Sequence, residues 1–346
     1  SAGTSNFRAG VNAGNSIESG GEKNVCVGDE SGTALTTGDQ NVAIGFEALK
    51  TEDAASSSVA VGALALSTQD AGAGDAYNTA VGRKAGFAVT TGVQNTLIGG
   101  LAGDALTNSV LNTAVGYQAL TAATTADLNT AIGATSLSTN ILSDRNVAVG
   151  YGSLATHNLA TNADAYNTAV GYAAGTALTT GIENTIVGGR AGDAFTTGQE
   201  NAVFGQQALS TDTAGNHSTA IGHGALFSQN FSTSTDTNNT AVGFSAGAAV
   251  TTGVHNTIMG SNAGDAITTG TRNISIGSSA LTADTIGSRA VAIGYEALAT
   301  QNFTTANDNY NIGIGFQAGY AVTTAVNNVF IGGLAGDALN TGGENT

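Results

Sequence analysis

Apolar residues recur along this chain in short bursts, with neither a helical stripe nor a long alternating run. Each burst reads Asn-x-x-(Val/Ile)-Gly-x-x-Ala-(Leu/Gly). It begins at Asn6 and Asn24, passes through Asn95, Asn112, Asn184 and Asn256, and ends with Asn311 and Asn328. The usual spacing is 17 residues. Ser58, Ser218 and Ala290 take the Asn position in three copies. About nineteen copies cover essentially the whole chain. A unit this short cannot bury its apolar face alone and must stack on its neighbours. The pattern therefore predicts an all-β fold, a parallel β-solenoid of about nineteen coils, running as a single continuous domain over residues 1–346.

Each position carries its own expectation. In Asn112-Thr113-Ala114-Val115-Gly116 the second and fourth residues share one face of a short strand. The fourth is nearly always Val, Ile, Phe or Met, which predicts that this face points inward and the third residue outward. The third is mostly Ala, with Leu97, Ile186, Ile258 and Phe330 in one class of coil. An outward row of small apolar side chains predicts a self-association surface through Leu97, Ala114, Ile186, Ile258 and Phe330. Gly at the fifth position predicts a tight corner with positive φ. Ala or Ser at the eighth suits a cramped interior. Stacked Asn side chains at the first position predict a hydrogen-bonded ladder between coils.

The ninth position is Gly in two coils, then Leu in two, and so on along the chain, with one extra coil, starting at Asn129, interrupting the register. Where it is Gly, the missing volume returns three residues later, as in Gly175 with Leu178, Gly192 with Phe195 and Gly264 with Ile267. Two coil types thus fill one core from different corners. Every fourth coil is longer by about four residues, in segments ending at Tyr166, Asn238 and Tyr310. These coils predict loops roughly 19 Å apart on a rod on the order of 90 Å long, at the usual strand separation.

Composition sharpens this picture. There are 50 Gly, no Pro, no Trp and only 10% charged residues, so a conventional core of large side chains is excluded. Hydrophobic residues at 41% exclude a disordered chain. The net charge of −16 repels phosphates and anionic lipid, which argues against nucleic acid as a partner. No apolar run approaches a membrane span, so no membrane insertion is expected. A single cysteine, Cys26, excludes an internal disulfide framework and reads as a small apolar residue in an Ala position.

Segments such as Asn41-Val-Ala-Ile-Gly45, Asn146-Val-Ala-Val-Gly150 and Ala290-Val-Ala-Ile-Gly294 resemble the head repeats of YadA-like trimeric autotransporter adhesins. Similar repeats occur in phage tail-fibre and other surface-fibre proteins. The resemblance implies a left-handed β-roll, a homotrimer, and display outside a cell or on a virion. It implies adhesion to a host or matrix surface whose receptor the sequence does not name.

Catalytic readings find no support in the sequence. His157, His217, His223 and His255 fall at unrelated coil positions, and no nucleophilic or metal-binding grouping is visible. The expectation is a protein that is not an enzyme and needs no cofactor. Calcium is the one candidate ion. Asp75, Asp164, Asp236 and Asp308 recur in the long loops beside Asn and Thr oxygens, which suit a hard cation, although an Asx turn explains one carboxylate per loop as well. Thr pairs such as Thr36-Thr37, Thr90-Thr91 and Thr251-Thr252 raise ice binding as a further alternative. The leading expectation is a structural and adhesive fibre segment. A filament of copies stacked end to end is the second.

Overall fold

A computed structural model describes residues 5–345 of the chain. The protein is a parallel β-solenoid of about nineteen turns, with no helix among the described residues. Nearly all the principal strands have three residues, in the position expected from the repeat: Val25–Val27, Thr113–Val115, Thr185–Val187 and Ile312–Ile314 are examples. Two compact units are distinguished, Ser1–Val170 and Gly171–Thr346.

In the first unit, Thr113–Val115 pairs in parallel with Thr96–Ile98 and with Thr130–Ile132, Thr against Thr and Val115 against Ile98 and Ile132. In the second, Ala202–Phe204 lies between Thr185–Val187 and Thr219–Ile221 in the same register. The longer coils add two-residue strands. Ala55–Ser56 pairs with Gly74–Asp75 and Ser143–Asp144 with Ala163–Asp164 in the first unit. Gly215–Asn216 pairs with Thr235–Asp236 and Gly287–Ser288 with Asn307–Asp308 in the second.

The Asn ladder is present. The Asn41 amide donates to Asn24 Oδ1 at 2.9 Å, while Asn41 Nδ2 donates to the Ala55 carbonyl at 2.9 Å. Asn112, Asn129, Asn256 and Asn273 repeat the first contact at 3.0 Å or less. Each Asn is thus buried yet satisfied, which removes the penalty of a lone buried amide.

The glycine corner has a stricter cause than its dihedral. Gly116 has φ 138°, and a Cβ placed on it would lie 2.6 Å from the carbonyl carbon of Gly133 one coil on. The layers touch here backbone to backbone. A second corner uses left-handed backbone, taken by Gly103 (φ 55°) in one coil type and by Leu120 (φ 54°) in the other. That conformation costs a leucine about 1–2 kcal/mol. Complete burial of Leu120 returns about 1.5–3 kcal/mol, so the leucine is retained. The exchange of volume between positions nine and twelve is direct: a Cβ on Gly264 would sit 2.8 Å from Ile267 Cδ1, and on Gly192 2.7 Å from the Phe195 ring.

The strand faces are reversed from expectation. The third residue points into the core and the second and fourth point out. Leu97, Ala114, Ile186 and Ile258 are fully buried and Phe330 is 6% exposed, so none of the five lies on a self-association surface. Two constraints explain the reversal. The coil is so thin that Ala fills most of its inward strand positions, Val203 being admitted beside Leu209, and the still larger Leu, Ile or Phe enters where Gly at position nine leaves space. Gly86 and Gly103, for example, both flank Leu97, each leaving less than 3.0 Å between its would-be Cβ and a leucine methyl.

Candidate functional surface

The outward strand positions form two columns in each unit. In the first unit, Thr79, Thr96, Thr113 and Thr130 occupy the second position of four consecutive coils, beside Val81, Ile98, Val115 and Ile132 at the fourth. In the second unit the fourth-position column includes Val187, Phe204, Ile221, Val242 and Met259. Ile98, Ile132, Phe204 and Ile221 are each 39% exposed. No charged residue occupies the second or fourth position of any three-residue strand. A sheet face of this kind is regular and unusually poor in charge for a protein of net charge −16.

Beyond the glycine corner lies a column of exposed rings, with Phe46, Tyr117 and Tyr151 in the first unit. In the second unit His223 stacks on Phe244 at 5.4 Å and Tyr295 on Phe316 at 5.5 Å. Neighbouring coils thus repeat a side-chain contact as well as a backbone one.

The four loop aspartates do not converge. Asp75 accepts from Ser57 Oγ (2.7 Å) and from the Tyr77 hydroxyl (2.9 Å). Asp164 accepts from Arg145 Nε (2.7 Å) and the Tyr166 hydroxyl (2.8 Å), contacts that hold its carboxyl below the usual range, the hydroxyl foremost. Asp308 faces Arg289 Nε at 3.0 Å. Asp236 faces His217 Nδ1 at 3.4 Å and accepts from Asn216 Nδ2 at 3.3 Å. Two of the four therefore already face a guanidinium, and the carboxylates serve loop contacts within the chain. The one close group of three metal-capable side chains among the described residues is Glu52, Asp53 and Asp70, and it contains none of them.

The Thr pairs are also occupied. Thr36 Oγ1 donates to the Asp53 carbonyl (3.0 Å), Thr179 to Thr196 (2.9 Å) and Thr251 to Thr268 (3.1 Å). Their first hydroxyls tie one coil to the next. Burial pushes the Cys26 thiol up to about 11, with Arg8 opposing, so the thiolate is disfavoured there.

Sequence reasoning missed a set of buried polar side chains at position twelve of certain coils: Glu52 and Gln69, Asn140 and His157, Asp212 and Gln229, Asp284 and Gln301, all fully buried. The signal was available as a polar residue followed 17 positions later by Gln or His, always in Leu-type coils.

Neither a protein-family model nor a curated protein matches this chain. The class is set by the fold itself, a β-solenoid repeat protein.

Proposed function

We propose that the chain is a structural and adhesive module of an extracellular fibre, on a cell surface or a virion, whose copies associate through the outward sheet face. The observation that carries this reading is the pair of uncharged columns at strand positions two and four. The fourth-position column is apolar, and contiguous exposed apolar surface marks interaction sites on soluble proteins. A homotrimer packed side by side buries these columns. A filament stacked end to end leaves them in water, so the face favours the lateral arrangement. The ring column and the long loops then remain outside, available to a host or matrix surface.

The test is the mass of the assembly by sedimentation and light scattering at micromolar concentration. A discrete oligomer is expected, and Ile98→Lys together with Ile221→Lys should convert it to monomer. A wild-type monomer with unchanged behaviour in the double variant would falsify the reading. One specific observation favours ice binding as a second reading, the run of Thr79, Thr96, Thr113 and Thr130 in register on the exposed face. It requires a monomer with thermal hysteresis that Thr113→Lys reduces.

A further inference from the structure

Each of three long coils contains an irregularity in the Asn ladder and a buried acid beneath it. Ser58, Ser218 and Ala290 stand where the other coils have Asn, so the side-chain amide that would reach the next coil is missing. In those coils, and in no others, position twelve is Gln, and the preceding coil has Glu52, Asp212 or Asp284 at position twelve. The fourth long coil keeps its Asn, Asn146, and there the corresponding pair, Asn140 and His157, contains no acid. Position one thus varies together with position twelve of two coils within this single chain.

The contacts explain the coupling. Gln69 Oε1 accepts from Asn78 Nδ2 at 2.9 Å, and Gln229 and Gln301 accept from Asn239 and Asn311 at 2.8 Å. The glutamine thereby supplies the acceptor that the missing Asn would have offered. Its Nε2 donates back to the acid, at 2.9 Å to Glu52, 2.6 Å to Asp212 and 2.7 Å to Asp284. Each carboxylate also accepts backbone amides from both coils: Ala55 and Ala71 for Glu52, Gly215 and Phe231 for Asp212, Gly287 and Phe303 for Asp284. The residue three after the acid fits its length. The longer Glu52 is followed by Ala55, whereas a Cβ on Gly215 or Gly287 would overlap the shorter Asp212 or Asp284.

We propose that acid, glutamine and the Ser or Ala at position one form a matched set that fixes which coil stacks on which and anchors the long loop above it. Chain connectivity leaves one ready error in a stack of near-identical coils, the skipping of a coil. Backbone pairing barely opposes that error, because every strand offers the same three-residue register. Skipping the coil that follows an acid would set an aliphatic side chain such as Val89, Val250 or Val322 beside a buried carboxylate and leave it without its partner, a strongly penalised state. Buried polar groups are best attested in this register-setting role. Ala55, Gly215 and Gly287, whose amides the acids accept, open the short strands Ala55–Ser56, Gly215–Asn216 and Gly287–Ser288, on which the long-loop strands Gly74–Asp75, Thr235–Asp236 and Asn307–Asp308 pair.

Hydrogen exchange on the full chain tests the proposal. Gln301→Leu should speed exchange of the amides in residues 284–311 roughly 10- to 100-fold, while the Gly-type coils of the same unit keep their rates. Replacing the whole set by the chain's own acid-free version, Asp284→Asn with Gly287→Ser, Ala290→Asn and Gln301→His, should return protection to within about threefold of wild type. Unchanged exchange in Gln301→Leu overturns the proposal. If Gln301→Leu does not fold, the fourfold variant decides: native protection supports a matched set, and its loss refutes one.

Discussion

The coil beginning at Asn184 and its neighbour beginning at Asn201 share a strand position, a glycine corner and a ladder amide, yet fill their interiors in opposite ways. The first has Gly192 and lets Phe195 cross the core. The second has Leu209 in left-handed backbone and sets the buried Asp212 where its neighbour has Phe195. The backbone is common and the filling is interchangeable. A polar layer is tolerated where another side chain has already occupied the apolar volume and every polar atom finds a partner.

The strongest challenge to this comparison is a change that both coil types should reject alike. Gly243→Ala places a methyl 2.6 Å from the Gly260 carbonyl carbon, and denaturant unfolding should show a loss of more than about 4 kcal/mol. A change confined to one type comes next. Phe195→Ala should cost about 3–5 kcal/mol, and adding Gly192→Leu should recover at least about 1 kcal/mol by rebuilding the Leu-type filling. If the second substitution makes matters worse, the two fillings are not interchangeable. The smallest effect concerns pH. Burial holds the Asp284 carboxyl above its usual range, against the opposing pull of Gln301 and nearby amides. The folded state therefore binds this proton more tightly than the unfolded chain. Its contribution is complete below the ordinary carboxylate range and is lost as pH rises through the raised value. Melting temperatures of wild type and Asp284→Asn, compared across mildly acidic pH, should show a steeper decline in wild type than in the variant, which keeps the likewise raised Asp144.

Much of this architecture was legible in the sequence. The strand position, the glycine corner, the Asn ladder and the exchange between Gly192 and Phe195 all follow from a spacing of 17 residues and the sizes of side chains. The facing of the strand did not follow, because both faces are apolar and hydrophobicity cannot separate Ala114 from Val115. Volume separates them: the interior takes the smaller residue at that point, and Val115 remains half-buried outside. Hence the proposed association surface moves from Leu97 and its equivalents to Ile98 and its equivalents. The acid layers were hidden for a different reason. Glu52 and Asp212 look like surface charge in any single coil, and only comparison with Gln69 and Gln229 one coil later marks them as interior.

The four-coil spacing bears on how such a chain can change length. Asn239 and Asn311 stand 72 positions apart, and each donates its side-chain amide in the same way to the glutamine of the coil below, Asn239 to Gln229 and Asn311 to Gln301. Removal of residues 239–310 would bring Asn311 onto Gln229 with its donor already in place. Duplication of the same stretch would insert a complete period without creating a new kind of junction. A cut of one 17-residue coil in this region has no such freedom, since it parts an acid from its glutamine or a Gly-type coil from its twin. Gene length in such proteins is therefore expected to vary in whole periods.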